Sequence, residues 1–435
     1  MKIMLVAPFR RQSITFSPFP FFCFQLLIFH FLFLSPADAK IYIDISSPAL
    51  RKLPIAVTEF SGPSGKELSS IIRDDLDFTG VLSCLDRNAF IEPSSQPFNP
   101  KNWSVIGADA VVKGSVVSDA RNLVVTVSLY DVTEGKEMLR KEYQTETSLV
   151  RPLAHTIAND VYRQITGENG IFRTRIAYVI RKDGEDSLYV TDWDGHRPVG
   201  LGIKASVLLS PRWSKDGTML IYSSERNRQW GIYLLDFRKG VETKVFASKG
   251  TNIVGDFLPG TEEIIFSSSM NGTQDLYAYG LKGTGLSRLT SSRGIEVSPS
   301  PSPDGRLIAF VSDRDGTPQI FVMNKTGNTP QRITYQGSYN TSPSWSPKAD
   351  RIVFCGRQGG KNQIFTIRPD GSGMTQLTDR GSNEDPSFSP DGRYIVFSSE
   401  RDGEKAVYIM RANGEAQKRI SPRGVTAFGP RWSPN

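Results

Sequence analysis

The sequence predicts an α/β N-terminal domain followed by an all-β six-bladed β-propeller. The first observation is a repeat of about 44 residues that runs from residue 178 to residue 397, a period typical of propellers. The second is that the first and last copies are incomplete in complementary ways, and the third is a pair of amphipathic helical patterns before the repeats. The aromatic residues that end the second strand of each unit are Tyr178, Tyr222, Phe266, Phe310, Phe354 and Phe397.

Residues 1–39 are predicted to be a secretory signal peptide. A basic start precedes the almost wholly apolar residues 19–34, and Ala37 and Ala39 put small residues at the positions that a signal peptidase reads. The apolar run is shorter than the roughly 20 residues of a membrane span, so no transmembrane segment is expected after cleavage. A retained anchor, a twin-arginine signal and a later start of translation stay open as alternatives.

Residues 40–166 are predicted to form the α/β domain, a mixed sheet with two main helices. Ser64 and Glu67 have the spacing of a capping box, and apolar residues at helical spacing follow them. A second helical pattern is ended by Gly167. The strand patterns cover residues 41–45, 55–58, 81–85, 110–117, 123–130 and 136–143.

Two roles are open for the strand at the start of this domain. Residues 40–47 are competent to form a strand, and Pro48 follows them. Such a strand can pair within its own domain or be lent to the sheet of a partner.

The propeller is predicted to span residues 172–435. Each unit reads Pro-x-aromatic-Ser-Pro-Asp-Gly and continues with two strands joined by a polar turn, as residues 386–410 show most clearly. Asp-Gly favours a hairpin turn, and a proline at the start of the unit is compatible with an inner strand. The copy at residues 255–260 lacks the Ser-Pro-Asp series and is degenerate.

The number of strand patterns predicts how the ring closes. The inner-strand segment first occurs at Trp213, after the first blade, and its last copy, at Trp432, ends the chain. Residues 172–209 therefore form a blade without an inner strand, while the C-terminus carries a spare one. Pairing the two closes a six-bladed ring and leaves no open edge.

Composition and motifs argue against catalysis and nucleic-acid binding. A net charge of +7 over 435 residues is mild, so nucleic acid is not an expected partner. The chain has no Gly-x-Ser-x-Gly elbow, P-loop or dinucleotide fingerprint. His155 and His196 lie outside any triad or zinc-site spacing and are expected to be solvated. We therefore predict no catalytic residue, cofactor or metal ligand; a hydrolase or a sugar-binding propeller is the alternative.

Two sets of loops are predicted to form a binding face at one mouth of the central channel. The loops between blades, residues 290–298, 334–342 and 378–385, are long and polar. The turns between second and third strands lie at the same end of a four-stranded meander. Such a mouth suits a folded protein or a peptide, although a solvated surface is the alternative for each residue. The candidates are Arg293, Glu296, Tyr339, Asn340, Asn383 and Glu384 in the loops, and Arg226, Asn271, Arg314, Arg357 and Arg401 in the turns.

The junction between the two domains carries the most specific motif. Residues 165–179 read Ile-Thr-Gly-Glu-Asn-Gly-Ile-Phe-Arg-Thr-Arg-Ile-Ala-Tyr-Val. With the signal peptide, the small α/β domain, the six blades and the Trp-Ser-Pro finish, the chain resembles the TolB family, periplasmic proteins of the Tol–Pal system of Gram-negative bacteria. The resemblance covers nearly all of the chain after the signal peptide. The long Phe-rich signal and the degenerate copy depart from the family pattern.

The resemblance implies a monomeric periplasmic adaptor and no enzyme. In the family, the propeller mouth binds the peptidoglycan-associated lipoprotein, a mobile N-terminal segment binds TolA, and the two events are coupled. The system supports outer-membrane integrity and constriction at cell division. Carried over by position, the lipoprotein face includes Thr290, Arg293, Glu296, Thr334, Asn340, Thr378, Asn383 and Glu384. The TolA-binding segment is residues 40–52, which begins with Lys40, Ile41, Tyr42, Ile43, Asp44 and Ile45.

Overall fold

A computed structural model describes residues 52–119 and 121–435; the predicted signal peptide and residues 40–45 lie outside this part of the chain. The described residues belong to one compact unit, Asp44–Asn435. They form an α/β domain and a ring of six four-stranded sheets, which confirms the predicted fold class. No helix within the described residues is long and apolar enough to cross a membrane.

The α/β domain contains a mixed sheet of five strands. Its elements are β1 (Leu53–Val57), α1 (Gly65–Phe78), β2 (Leu82–Cys84), α2 (Pro100–Ser104), β3 (Ala110–Ser118), β4 (Asn122–Asp131), β5 (Lys136–Glu146) and α3 (Val150–Thr166). Short 3-10 helices lie at Arg87–Ala89 and Thr147–Leu149. The sheet order is β2-β1-β3-β4-β5, with β1 parallel to both neighbours and the other pairs antiparallel.

The two long helices pack against each other through their apolar faces. Leu68 and Leu76 on α1 and Ile157 on α3 are fully buried, as expected for apolar residues three or four positions apart. Gly167 follows α3 with a φ of 77°, a left-handed conformation that favours glycine at this position. The capping box predicted at Ser64 is wrong, because this residue has a φ of 59° and makes no side-chain cap hydrogen bond.

The propeller begins at β6, and five of its six blades are built from consecutive strands. Blade 1 contains β6 (Arg175–Lys182), β7 (Glu185–Asp192) and β8 (Val199–Ala205). Blade 2 is β9 (Val207–Trp213), β10 (Met219–Arg226), β11 (Gln229–Asp236) and β12 (Val241–Ala247), and blade 3 is β13 (Asn252–Phe257), β14 (Glu263–Asn271), β15 (Thr273–Gly280) and β16 (Ser287–Arg288). Blade 4 is β17 (Glu296–Pro301), β18 (Leu307–Ser312), β19 (Gln319–Asn324) and β20 (Gln331–Arg332), and blade 5 is β21 (Asn340–Trp345), β22 (Ile352–Gln358), β23 (Lys361–Ile367) and β24 (Thr375–Gln376). Blade 6 is β25 (Asn383–Phe388), β26 (Tyr394–Ser399), β27 (Ala406–Arg411) and β28 (Lys418–Arg419).

The inner strand of blade 1 comes from the C-terminus of the chain. β29 (Thr426–Trp432) pairs antiparallel with β6, so the sheet order of blade 1 is β29-β6-β7-β8. The indole Nε1 of Trp432 donates to Oγ1 of Thr174 at 2.7 Å. Ser433 and Arg175 exchange two further hydrogen bonds, Ser433 N to Arg175 O at 2.8 Å and Arg175 N to Ser433 Oγ at 2.9 Å. The two ends of the propeller are therefore joined by a ladder and by side chains.

Aromatic pairs connect the second and third strands of the blades. In blade 5, Phe354 is the register partner of Phe365, and their ring centroids are 5.6 Å apart. The apolar faces of adjacent blades then pack on each other, as Ala309 and Val311 of blade 4 do in one cluster with Phe354. This stacking explains why the aromatic positions recur with the period of the blade.

The degenerate copy forms a complete blade 3. At the repeat position where other inner strands have proline, it has Gly255. A Cβ at residue 255 would lie 2.4 Å from the carbonyl oxygen of Pro299 in blade 4. Because real Cβ atoms do not approach so closely, a glycine is what lets the two inner strands meet here.

The α/β domain rests on blades 1 and 6 through an aromatic and arginine contact. The ring of Phe78 lies 5.1 Å from that of Trp193 and 5.3 Å from that of Tyr394. Arg411 Nε donates to the carbonyl oxygen of Phe78 at 3.1 Å, and Arg393 Nη1 donates to the hydroxyl of Tyr162 at 3.0 Å. We call this contact the domain joint.

Candidate functional site

The two predicted sets of loops do meet at one end of the ring, which we call the loop face. It consists of the loops that lead into β17, β21 and β25 and the turns that follow β10, β14, β18, β22 and β26. Glu296 at the start of β17 pairs with Ser312 at the end of β18, and Asn383 pairs with Ser399 in the same way. The start of each of these inner strands therefore lies beside the end of its second strand.

A repeated buried hydrogen-bond unit forms the base of these loops. At the boundary of blades 4 and 5, Gln319 Oε1 accepts from Thr334 Oγ1 at 2.7 Å and from Asn340 Nδ2 at 2.8 Å. Thr334 Oγ1 also accepts from the backbone N–H of Ile320 at 2.9 Å. The unit ties the third strand of one blade to the inner strand of the next, and a satisfied buried network of this kind holds the backbone in one arrangement.

The same unit recurs at the boundary of blades 5 and 6. Gln363 Oε1 accepts from Thr378 Oγ1 at 2.7 Å and from Asn383 Nδ2 at 2.9 Å. Asn383 Oδ1 in turn accepts from Arg401 Nη2 at 2.9 Å. The amide of Asn383 thus connects the interblade loop to the turn that follows β26.

The boundary of blades 3 and 4 has two carboxylates in place of the two amides. Asp275 and Glu296 occupy the repeat positions of Gln319 and Asn340, and both are fully buried. Asp275 Oδ2 accepts from Arg288 Nη2 at 2.6 Å, and Glu296 is paired with Arg314. The other oxygens, Asp275 Oδ1 and Glu296 Oε2, are buried without a hydrogen-bond partner in the protein, so this boundary is less well satisfied than its neighbours.

Arginines of the turns lie over the aromatic rings of their own blades. Arg401 lies 5.2 Å from the ring centroid of Phe397 and 4.7 Å from that of Tyr408. Its Nε donates to Oγ of Ser399 at 2.8 Å. Burial lowers the pKa of Arg401. Arg226 and Arg314 make equivalent contacts, while Arg357 lies over Tyr339 and Asn271 donates to Tyr277.

Six of the eight positions carried over from the family therefore lie in the wall of the loop face. The buried ones are Thr290, Glu296, Thr334, Asn340, Thr378 and Asn383. Arg293 is exposed and Glu384 is half-buried. Direct contact with a partner is thus open to Arg293 and Glu384, whereas the other six are placed to position the loops.

Glu384 has a defined electrostatic environment. It pairs with Lys405 and accepts from Asn362 Nδ2 at 2.7 Å. Burial acts to raise the pKa of Glu384, but the hydrogen bond and charge of Lys405 outweigh it and hold that pKa below its usual value. Glu384 therefore presents a fixed negative charge at the edge of the loop face.

Two exposed apolar residues lie on the loop face at positions that the sequence pattern did not indicate. Tyr335 is 72% exposed and Ile295 is 54% exposed, and both lie in the interblade loops just before inner strands. Exposed apolar groups beside charged ones are typical of a protein-binding surface. A signal was available: residues that recur every 44 positions, such as Thr334 and Thr378, maintain the blade, whereas residues that differ between copies are free to serve recognition.

The expectation that His155 is solvated is wrong, because this residue is 3% exposed. His155 Nδ1 lies 2.7 Å from Asp75 Oδ2, and its Nε2 lies 3.7 Å from Asp194 Oδ2. Asp194, in the turn after β7, also pairs with Arg151 of α3. The histidine is thus part of a buried charged cluster at the domain joint, whereas His196 is exposed as expected.

The pKa values of the two carboxylates in this cluster are shifted in opposite directions. Burial raises the pKa of Asp75 to about 6, although the hydrogen bond with His155 partly offsets it. Burial also acts to raise the pKa of Asp194, but the hydrogen bond from Arg151 and the charge of His155 hold it below its usual value. In the described part of the chain, no group of three or more His, Cys, Asp or Glu side chains is placed to hold a metal ion.

Comparisons with known proteins cover both domains. Residues 162–435 match the model of the TolB beta propeller domain, and residues 41–138 match that of the TolB amino-terminal domain. The Tol-Pal system protein TolB of Desulfosudis oleivorans is 36% identical over 233 residues, which are 50% of this chain and 53% of that protein. For the Tol-Pal system protein TolB of Haemophilus influenzae, the identity is 32% over 225 residues, 49% and 52% of the two chains. The chain thus spans about half the length of the curated relatives it matches.

Structural similarity extends further along the chain. The crystal structure of TolB from Acinetobacter baumannii superposes with a TM-score of 0.80 and 26% sequence identity. The superposition covers 88% of this chain and 97% of that chain. The α/β domain and the propeller are therefore arranged in this chain much as they are in that protein.

Proposed function

Because the chain belongs to the TolB family, we propose that it is a non-catalytic periplasmic adaptor of a Tol–Pal envelope system. Its loop face binds the peptidoglycan-associated lipoprotein, and residues 40–52 bind TolA. Through these two contacts the protein supports outer-membrane integrity and constriction at cell division. The names of the relatives support the assignment to the system, and the surface described above supports the assignment of the loop face.

The observation that carries the proposal is the contrast between the base and the tip of the loop face. The base is held by buried Thr–Gln–Asn hydrogen-bond units. The tips expose Arg293, Ile295 and Tyr335, with Glu384 at the edge. A rigid base with exposed aromatic, apolar and charged tips loses little conformational entropy on binding, which favours a folded protein partner.

The coupling of the two partners is proposed to run through the domain joint. Lys52, the first described residue, lines a cavity of about 820 Å³ together with Gly80, Asp391 and Arg411. The TolA-binding segment therefore enters the described chain at a cavity shared by the α/β domain and the propeller. Residues in this wall are placed to respond both to the segment and to the blades.

Isothermal titration with the soluble domain of the lipoprotein tests the loop face. We expect Tyr335→Ala to weaken binding by about 1–3 kcal/mol, the range of an aromatic contact residue at an interface. Val105→Ala is a matched control, because Val105 is 78% exposed but lies in the α/β domain. Equal affinities of the parent and Tyr335→Ala would contradict the placement of the lipoprotein.

Deletion of residues 40–52 tests the second contact. The truncated protein should lose TolA in a pull-down from envelope extract and should keep the lipoprotein. Retention of TolA by the truncated protein, or binding of neither partner by the parent, would count against the proposal.

A further inference from the structure

The inner strands place six equivalent side chains around the axis of the ring. The residues are Arg212 (β9), Asp256 (β13), Ser300 (β17), Ser344 (β21), Ser387 (β25) and Arg431 (β29), one from each blade. All six line a single cavity of about 200 Å³. Because every blade contributes to it, this cavity lies in the central channel. The six residues are near the ends of their strands, so the cavity is displaced from the loop face; we call it the axial cavity.

A bulge in each inner strand sets the direction of these side chains. Between β17 and β18, the register passes from Val297 directly to Ser300, so two residues of β17 are left without partners. One of them, Ser298, has a φ of 53°, and Ser342 has a φ of 52° at the equivalent place in β21. Such a bulge re-aims the residue that follows it, here toward the axis.

The two arginines have few partners in the protein. Arg212 Nη1 donates to the carbonyl oxygen of Pro211 at 2.9 Å, and its Nε lies 3.8 Å from Asp256 Oδ2, beyond hydrogen-bond distance. Arg431 is 9% exposed, and its Nη1 donates to backbone carbonyl oxygens, that of Pro430 at 3.0 Å among them. A guanidinium has five N–H donors. Among the described residues, the remaining donors of both groups make no hydrogen bond, and both side chains line the axial cavity.

The charge around the axial cavity is unbalanced. Arg212, Lys215 and Arg431 line it on the positive side, and Asp256 is the one carboxylate in its lining. A second carboxylate, Asp385, lies outside this lining but also acts on the charge of both arginines. Burial, reinforced by the charge of Arg431, lowers the pKa of Arg212 to about 9. Burial also raises the pKa of Asp256. Both shifts indicate charges that water does not solvate well, and a buried cation whose nearest carboxylate lies beyond hydrogen-bond distance is costly.

We propose that the axial cavity binds a small oxyanion between Arg212 and Arg431, with the hydroxyls of Ser300, Ser344 and Ser387 as further donors. Two guanidiniums whose Nε and Nη2 donors have no hydrogen-bond partner in the described part of the chain, together with three hydroxyls, match the oxygen acceptors of phosphate, sulfate or a carboxylate. A water molecule takes about 30 Å³, so the cavity has room for an anion of this size. This site is separate from the loop face and does not depend on the proposed adaptor function.

Titration calorimetry on the full chain tests the site with sodium phosphate, sodium sulfate and sodium acetate, at constant ionic strength set by chloride. We expect at least one of them to bind with one anion per chain. Binding of phosphate or sulfate alone identifies a site for tetrahedral anions, and binding of acetate alone identifies a carboxylate site. Absence of binding by all three up to about 50 mM would overturn the proposal, because charge-assisted bonds from two arginines would then supply no measurable affinity.

Two substitutions should change the affinity in opposite directions. Arg212→Gln should weaken binding about tenfold. Asp256→Asn should tighten it about threefold, because it removes the competing negative charge while its Oδ1 can still accept from the backbone N–H of Phe257. Arg306→Gln is the control, since the side chain of Arg306 is 85% exposed and lies outside the cavity.

The remaining variants still test the proposal if one variant does not fold. If Arg212→Gln does not fold, Ser344→Ala should weaken binding and Asp256→Asn should still tighten it. Affinities equal to that of the parent in the variants that fold would overturn the proposal. In crystals grown with selenate, an anomalous peak between the two arginines would support it, and a peak elsewhere only would count against it.

Discussion

Removing the C-terminal strand tests how much the closure of the ring contributes to stability. β29 supplies the inner strand of blade 1, and Trp432 near its end is 7% exposed and bonded to Thr174. Deletion of residues 425–435 would remove this side chain, the ladder to β6 and the two bonds with Arg175. It would also turn β6, which has a neighbour on each side in this sheet, into an exposed edge strand paired with β7 alone.

The magnitude follows from the side chain. Replacement of a buried tryptophan by alanine costs about 3–5 kcal/mol, so Trp432→Ala alone should lower the free energy of unfolding by that amount. Trp432→Phe keeps most of the apolar volume and loses the hydrogen bond to Thr174, which is worth about 1 kcal/mol. The full deletion should exceed Trp432→Ala. Since natural domains have about 5–15 kcal/mol in all, we expect the truncated propeller to be unfolded or aggregated.

The assay is chemical unfolding combined with hydrogen exchange. Trp345→Ala is the matched control, because Trp345 has the same repeat position, the same burial and an indole bond to Ser300 O at 3.0 Å. Both alanine variants should lose similar stability, but only Trp432→Ala should speed exchange of the β6 amides, since β29 can detach while β21 is held at both ends. Closure by β29 would be refuted by a truncated protein with the parental free energy of unfolding, or by unchanged β6 exchange in Trp432→Ala.

Three further predictions concern the buried charges. The folded-state pKa of Asp75, about 6, lies above its ordinary value of 3.8, so the folded state holds the proton more tightly. Relative to Asp75→Asn, the parent should therefore lose about 2 kcal/mol of unfolding free energy as the pH rises from about 4 to about 6. A pH-independent difference in unfolding free energy would contradict this. Glu296→Gln should stabilise the protein by about 1 kcal/mol in urea unfolding, because its amide can donate to the unpaired oxygen of Asp275. The reverse change, Gln319→Glu, should destabilise the boundary of blades 4 and 5. If both substitutions changed the unfolding free energy in the same direction, the two boundaries would not be equivalent. Arg411→Ala should leave the carbonyl oxygen of Phe78 without the donor that Arg411 supplies, whereas that of Asp77 keeps the backbone N–H of Gly80. The loss should speed proteolysis between the domains, and an unchanged cleavage rate would show that the joint does not depend on Arg411.

The period of the sequence was enough to predict the propeller, whereas the resemblance to a family came from the junction motif at residues 165–179 and the order of the domains. Aromatic residues recur once per repeat unit because each blade buries its aromatic side chains against the next blade, so their spacing directly indicates the blades. The fold class and the resemblance to the TolB family are both confirmed. α2 was not predicted because its five residues are too few to show a helical pattern of apolar positions. Its start does carry a signal, since Asn99 accepts from Lys101 N at 3.2 Å and Pro100 is the first helical residue.

The site was harder to predict because burial of polar groups depends on contacts distant in sequence. His155 is 80 residues from Asp75, and no local spacing indicates that the two side chains meet. Thr290, Thr334 and Thr378 recur with the blade and bond to the backbone of the preceding third strand. The recurrence of these threonines in successive blades indicates a structural role. The exposed Tyr335 does not recur in this way, so the repeat pattern did not predict its place on the surface.

The bonds of Trp432 and Ser433 to Thr174 and Arg175 make the last residues of the chain a clamp on the linker between its domains. The C-terminal strand is therefore attached to the segment that joins α3 to β6. A purification tag or fluorescent protein fused after Asn435 would therefore lie beside the segment that joins the two domains, not at a remote end of the molecule. By the same geometry, a small label placed there would report on the surroundings of the junction between the domains.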